Sequence, residues 1–246
     1  MFPIRDENPT LRPPVVTWGL IAANLAVWVL VQGAGLTEAF PRSICEKALI
    51  PGELLGLVRP GTTFPVGPGL ACEVTAEPNW ASPLLSMFMH GGWLHLLGNM
   101  WFLHVFGNNV EDSMGRGRYL LFYVLCGLLA AAAQVVASPA SAIPMVGASG
   151  AIGGVMGAYV VLYPRVRIHM LLVLLVFVTT IDVPAFFMLG YWFLLQLLSG
   201  FTSLGRVAGG TAFWAHVGGF VAGMLLVLPF RNREYVARHR ALARYM

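Results

Sequence analysis

Long runs of apolar residues, separated by short polar segments, recur along most of the chain. A helix that crosses a membrane needs roughly 20 apolar residues, with a range of about 17 to 25. We predict such helices at Val15–Val31, Leu94–Val110, Tyr119–Ala137, Ser149–Tyr163, Val183–Phe201 and Ala212–Phe230. A seventh apolar run, Ile168–Ile181, is ambiguous from its hydrophobicity alone. The pattern predicts one domain, built as a bundle of membrane helices.

The distribution of basic residues decides how to interpret the seventh run. If six segments cross the membrane and Ile168–Ile181 does not, 11 of the 15 Lys and Arg residues lie on the cytoplasmic side, as the positive-inside rule requires. If the seventh run also crossed, the split would be 7 to 8 and would carry no orientation signal. We therefore predict six spans with both termini in the cytoplasm, and Ile168–Ile181 as a buried loop or a shallow re-entrant segment.

The composition is that of an integral membrane protein. The chain is 57% hydrophobic and 11% charged, and its mean hydropathy of +0.73 lies well outside the range of soluble domains. We expect a cytoplasmic tail at 1–14, a six-span domain at 15–230 and a basic cytoplasmic tail at 231–246. The expected fold is an all-α membrane protein whose long first outer loop, Gly33 to about Pro83, is partly embedded in the membrane.

The cysteines do not form a metal or redox motif, because the three of them lack any CxxC spacing. Cys45 and Cys72 both lie in the first outer loop. They would form a disulfide if this loop faces an oxidising compartment. Two free thiols are an equally good alternative from the sequence.

Acidic residues are absent from the middle of every predicted span. An aspartyl-type intramembrane hydrolase needs paired carboxylates, and a metal type would normally show an HExxH motif, so both are disfavoured. We expect no metal and no cofactor. The lipid bilayer is an expected partner and nucleic acid is not, because the C-terminal arginines suit anionic lipid.

Four polar residues stand out because polar groups inside a membrane are costly and are therefore functional candidates. Ser149, His216, His95 and Asn99 lie in the first turns of the fourth, sixth and second predicted spans, which run in the same direction. The fourth span has 15 residues and rises about 22 Å, less than the hydrocarbon core of about 30 Å. Ser149 is therefore expected in a sunken cavity, where the N–H groups of a helix N-terminus suit a developing oxyanion.

Small residues predict which helices touch. Two glycines follow Ser149 at i+4 and i+8, and two follow His216 at i+3 and i+7, on the same helix face in each case. These glycines are Gly153, Gly157, Gly219 and Gly223. Such stripes let membrane helices approach closely, which would bring Ser149 and His216 together as a nucleophile and its general base. A serine at a helix start is most often only a cap or a packing residue, and it is the conjunction of depth, glycine faces and polar partners that favours a site.

Around these residues the sequence resembles the rhomboid family of intramembrane serine proteases, of the bacterial type. Three motifs carry the resemblance: GASG (Gly147–Gly150), AHVGGFVAG (Ala215–Gly223) and HGGWLHLLGN (His90–Asn99). FGNNVEDSMGRGRY (Phe106–Tyr119) and PAFFMLGYWFLLQ (Pro184–Gln196) also resemble bacterial members.

The resemblance implies a six-helix rhomboid bundle that hydrolyses peptide bonds in or near transmembrane segments of membrane-protein substrates. It implies Ser149 as nucleophile and His216 as general base. His95, Asn99 and the backbone N–H at Ser149 would form the oxyanion hole, with Gly150 beside it. The fifth span would be a lateral gate for substrate helices, formed around Trp192 and Phe193.

The aromatic residue that some members carry four positions after the serine is replaced here by Gly153. Trp214 and Tyr159 are the side chains that we consider instead for orienting the His216 ring. The family position also implies a multi-pass protein of the cell (inner) membrane, with the active site opening to the extracytoplasmic side.

Two other function classes compete with a protease. A non-catalytic rhomboid-like protein would bind and escort membrane proteins, but such relatives typically lack the serine or the histidine, and this chain has both. A small-solute transporter predicts coupling residues at the membrane midplane and an internal repeat, and the sequence shows neither.

Overall fold

A computed structural model of the chain describes residues 2–67, 70–174, 177–203 and 211–242. Helices dominate these residues, and strands form two small sheets. In chain order the elements are β1 (Phe2–Asp6), α1 (Val15–Ala26), α2 (Ala39–Lys47), α3 (Pro51–Leu54), β2 (Thr63–Gly67), β3 (Leu70–Glu73), α4 (Ser82–Leu85), α5 (Trp93–Met114), α6 (Arg116–Ala137), α7 (Ser149–Leu162), β4 (Arg167–Leu174), β5 (Phe177–Pro184), α8 (Ala185–Ser203), α9 (Phe213–Phe230) and α10 (Arg233–Leu242).

The predicted apolar segments form helices α1 and α5 to α9, with boundaries within about four residues of those expected from hydrophobicity. The helix at the first segment continues past α1 as one π-helical turn, Val27–Val31. Among the described residues, α6, α8 and α9 are long and apolar enough to cross a membrane. Val15–Val31 and Ser149–Leu162 are shorter apolar helices.

The seventh apolar run forms a β-hairpin, so the prediction of a loop is wrong, while the alternative of a shallow re-entrant segment stays a prediction. Strands β4 and β5 pair antiparallel, and β1 adds to β4, so the all-α class omits a three-stranded sheet of order β1-β4-β5. Residues of this run such as Thr179, Thr180 and Ile181 are β-branched and favour strands. Ile168 and Met170, two positions apart in β4, are buried against the bundle. Residues 175–176 of the run lie outside the described residues.

The N-terminal strand is bound to the helices by three side chains. The Trp101 indole N–H donates to the carbonyl of Pro3 at 2.6 Å, and Asn109 Nδ2 donates to the Asp6 carboxylate at 2.8 Å. The Tyr159 hydroxyl, on α7, also donates to Asp6. Burial raises the pKa of the Asp6 carboxyl to about 6, and the hydrogen bond from Tyr159 opposes this shift only in part. The segment predicted as a tail therefore begins with a strand that contacts α5 and α7.

The start of α1 is capped from α5. The Glu111 carboxylate is buried and accepts hydrogen bonds from the backbone N–H groups of Val16 and Thr17 and from the Thr17 hydroxyl. A helix N-terminus has unpaired N–H groups that a carboxylate can satisfy. The neighbouring Asp112 forms an ion pair with Arg12 at 2.8 Å, so the end of α5 fixes the position where α1 begins.

The first outer loop has its own small core and a disulfide. Cys45 of α2 and Cys72 of β3 are bonded, which settles the question that the sequence leaves open. Ile50, Phe64 and Val74 are buried beside this bond. At the other end of the chain, the predicted C-terminal tail forms α10 up to Leu242, and residues 243–246 lie outside the described residues.

Candidate active site

Helices α7 and α9 pack at backbone distance. A Cβ atom built on Gly219 would lie 2.0 Å from the carbonyl oxygen of Gly150, and one on Gly223 would lie 1.9 Å from that of Gly154. Only glycine permits this approach. The predicted packing of the two glycine faces is confirmed, although the tightest partners on α7 are Gly150 and Gly154. At Gly153 a Cβ would lie 3.1 Å from a backbone oxygen, a tight contact that is less severe.

This packing places Ser149 and His216 in hydrogen-bond contact. His216 Nε2 lies 2.7 Å from the Ser149 hydroxyl oxygen. Ser149 is the first residue of α7, and the chain enters the helix through Gly147, whose φ of +128° favours glycine. A Cβ on Gly147 would also lie 2.8 Å from the His95 ring, so glycine here lets that ring approach the serine.

The other side of the His216 ring is held by α8. His216 Nδ1 and the Gln196 side-chain oxygen are 2.8 Å apart, and the Trp192 ring lies 5.8 Å from the imidazole, measured between centroids. Sequence reasoning missed Gln196. The available signal was that Trp192 and Gln196, at i and i+4 within the quoted PAFFMLGYWFLLQ motif, share a helix face.

The aromatic residues considered for orienting His216 have other partners, so that idea is wrong. The Trp214 ring packs edge-on against Phe201 at 5.2 Å between centroids. Tyr159 lies near the opposite end of α7 from Ser149, and its hydroxyl donates to Asp6. Trp192 and Gln196 occupy the positions around the His216 ring instead.

The serine and histidine open into a cavity of about 570 Å³ between the helices. Its walls include six of the seven residues to which the family resemblance assigns a role in catalysis, the oxyanion hole or the gate: Ser149, His216, His95, Asn99, Gly150 and Trp192. The seventh, Phe193, stacks on Phe220 of α9 at 4.8 Å between ring centroids. None of the described residues that line this cavity is acidic.

Two side chains from α5 bring hydrogen-bond donors to the cavity. Asn99 is 8% exposed, and its Nδ2 has no hydrogen-bond partner among the described residues. The Gly91 N–H donates to His95 Nδ1 at 3.4 Å, which leaves the proton of the neutral ring on Nε2. His95 Nε2 faces Gly147, which lies just before Ser149, the first residue of α7. A buried donor without a partner is costly, so Asn99 is suited to a ligand oxygen that arrives in the cavity.

A second polar cluster lies on the three-stranded sheet. Within the described part of the chain, Glu7, His169 and Asp182 are the group whose ligand atoms are close enough to hold a metal. His169 directs Nδ1 to Asp182 and Nε2 to Glu7, at 3.4 Å for the second pair. One imidazole thus bridges the two carboxylates and links β4 and β5 to Glu7, the residue that follows β1.

These observations define a helical membrane protein in which a serine and a histidine meet at a cavity between the helices. The Rhomboid domain family model matches residues 77–233, which include every helix that lines the cavity. The chain belongs to the rhomboid family.

Named relatives include proteases. Rhomboid protease GluP of Bacillus subtilis (strain 168) is 35% identical over 159 residues, which make up 64% of this chain and 28% of that protein. Rhomboid-like protease 5 of Toxoplasma gondii is 30% identical over 169 residues, or 65% of this chain and 17% of that protein. Rhomboid-like protein 11, chloroplastic, of Arabidopsis thaliana is 36% identical over 77 residues, or 31% of this chain and 27% of that protein. The chain thus spans less than a third of the length of each of these relatives.

Proposed function

We propose that the protein is an intramembrane serine endopeptidase that cleaves membrane-protein substrates in or near their transmembrane segments. The observation that carries this proposal is the 2.7 Å contact between His216 Nε2 and the Ser149 hydroxyl at a cavity between membrane helices. Membership of the rhomboid family and the similarity to proteins named as proteases support it.

The geometry suits acyl transfer by a Ser-His dyad. His216 Nε2 accepts the Ser149 proton as the hydroxyl oxygen attacks the substrate carbonyl. The protonated imidazole then donates this proton to the leaving amine, and the acyl-enzyme forms. In the second half of the reaction His216 accepts a proton from water as the water oxygen attacks the ester. The imidazolium then donates this proton to the Ser149 oxygen as the ester bond breaks, which releases the new carboxyl end and restores the dyad.

The charge that develops on the substrate oxygen needs donors, and three kinds are available. We assign this role to Asn99 Nδ2, to His95 Nε2 and to the backbone N–H groups at Ser149 and Gly150 in the first turn of α7. The free Nδ2 of Asn99 supports the assignment. Donors that are fixed in a water-poor site stabilise an oxyanion more than they would in water.

For the membrane topology we propose six spans, formed by the helix at Val15–Val31 and by α5 to α9. Both termini then lie in the cytoplasm of the cell, and the cavity opens to the opposite side of the inner membrane. The disulfide between Cys45 and Cys72 supports this orientation, because disulfides persist in oxidising compartments. Trp192 and Phe193 are on α8, where we place the lateral entrance for substrate helices.

The decisive experiment is labelling of detergent-purified protein with a fluorophosphonate, which reacts with an activated serine. We expect the wild type to label and Ser149→Ala and His216→Ala not to label, with all three proteins eluting as the same species from a sizing column. A wild type that does not label, or a Ser149→Ala variant that does, contradicts the proposal. A folded protein that binds a transmembrane peptide without cleaving it would favour a non-catalytic escort function instead.

The oxyanion assignment has its own test. Asn99→Ala removes the free donor and should slow cleavage of a transmembrane substrate by about 10-fold or more. Asn108→Ala is a matched control, because Asn108 is on the same helix, is half-buried outside the cavity and donates its side-chain hydrogen bond to Thr10. If the two variants cleave at the same rate, Asn99 does not have this role.

A further inference from the structure

The contact between His216 and Gln196 has a defined direction. A side-chain amide oxygen can only accept a hydrogen bond, so the 2.8 Å contact from Gln196 Oε1 to His216 Nδ1 requires a proton on Nδ1. A neutral imidazole carries one proton, and Nε2 is then left with a free lone pair. That lone pair faces the Ser149 hydroxyl, as a general base requires.

We propose that Gln196 is a positioning residue that fixes the tautomer and orientation of His216. This inference rests on the proposed protease function. The amide takes the orienting place that an acidic residue has in a Ser-His-Asp triad, but it carries no charge. None of the described residues that line the cavity is acidic, so none of them fills that place with a carboxylate.

The two contacts that hold the ring come from one helix. Trp192 and Gln196 are one turn apart on α8, and Phe193 fixes the same stretch of α8 by stacking on Phe220 of α9. Much of the rest of α8 is exposed, including Phe187, Tyr191 and Leu198. Displacement of α8 by about 1 Å would lengthen the contact to Gln196 beyond hydrogen-bond range. The orientation of His216 therefore depends on the position of α8.

Two substitutions distinguish the effect of the Gln196 hydrogen bond from the effect of its side-chain volume. Gln196→Met keeps a similar volume and removes the amide, and we expect it to lower kcat and the rate of fluorophosphonate labelling by about 10-fold while KM stays within about twofold. Gln196→Glu keeps a carboxyl oxygen that can accept from Nδ1, and we expect it to restore most of the rate. Leu198→Met, on the exposed side of α8, is the matched control and should behave as the wild type.

A spectroscopic measurement tests the tautomer in the unmodified protein. In a sample with ¹⁵N-labelled histidine, the resonances lost in His216→Ala identify this residue. We expect protonated Nδ1 and unprotonated Nε2 in the wild type and in Gln196→Glu, and a mixture of tautomers in Gln196→Met. Protonated Nε2 in the wild type overturns the inference, and so does wild-type kcat in a folded Gln196→Met.

The outcomes also separate this inference from the proposed function. If the wild type fails to label, or Ser149→Ala still labels, the protease proposal fails. If the wild type labels through Ser149 and Gln196→Met labels equally fast, the dyad stands and only the role of Gln196 is rejected.

Discussion

Gly219→Ala tests whether backbone packing sets the distance between Ser149 and His216. The new Cβ would lie 2.0 Å from the Gly150 carbonyl oxygen, whereas ordinary contact begins at 3.4 Å. The clash is with backbone, so α7 and α9 must separate by about 1.4 Å. Overpacking of this kind costs about 1–3 kcal/mol of stability.

Separation of α7 and α9 would directly lengthen the contact between Ser149 and His216. Gly150 follows Ser149 in α7, and Gly219 is three residues from His216 in α9. A contact of 2.7 Å that lengthens by about 1 Å is no longer a hydrogen bond. Because a misplacement of about 1 Å can cost roughly 100-fold in rate, we expect labelling by fluorophosphonate to slow by about that factor.

The assay is the labelling rate at saturating probe, together with the thermal unfolding midpoint in detergent. Gly153→Ala should have an intermediate effect, because its Cβ would lie 3.1 Å from the His216 carbonyl. Gly190→Ala is the matched control, since a Cβ at this exposed position of α8 meets nothing within 4 Å. If Gly219→Ala labels as fast as Gly190→Ala, the glycine contacts do not set the geometry of the site.

Three further predictions concern stability, each measured as the unfolding midpoint in detergent. Burial raises the pKa of Asp6 in the folded state to about 6 from 3.8, so wild-type stability falls as pH rises from about 4 to 6; Asp6→Asn should remove up to about 3 kcal/mol of this dependence. Parallel pH curves for the two proteins would contradict this. Replacing Cys45 and Cys72 by serine should cost about 3.5 kcal/mol by the chain-entropy model for a separation of 27 residues, and reductant should then leave the variant unaffected. Glu111→Gln should cost about 1–3 kcal/mol because it weakens the cap on α1, and an unchanged midpoint would mean that water replaces the carboxylate there.

The helices could be predicted from the sequence because their signal is local. A run such as Tyr119–Ala137 has enough consecutive apolar residues to specify one helix without reference to any other segment. The packing of α7 on α9 could also be predicted, because glycines spaced at helical periodicity mark one face of each helix.

The β-hairpin was not predicted, for a physical reason. Its two strands lie in one largely apolar run, so hydrophobicity alone does not distinguish them from a helix or a buried loop. The third strand of the sheet comes from far away in the chain, since Phe2 of β1 lies opposite Leu171 of β4. Gln196 was missed for a similar reason: an amide on an apolar helix has no defined role until a second helix brings His216 to it.

Two sets of contacts thus hold the site, and each controls a different property of the dyad. Glycine packing between α7 and α9 determines how far Ser149 lies from His216, whereas Gln196 on α8 determines which ring nitrogen carries the proton. If this division is correct, the two perturbations should not be additive. Once Gly219→Ala has separated the serine from the histidine, the tautomer no longer matters, and adding Gln196→Met should slow labelling by less than about twofold. A full additional 10-fold loss in the double variant would show that Gln196 acts on the reaction independently of the contact between serine and histidine.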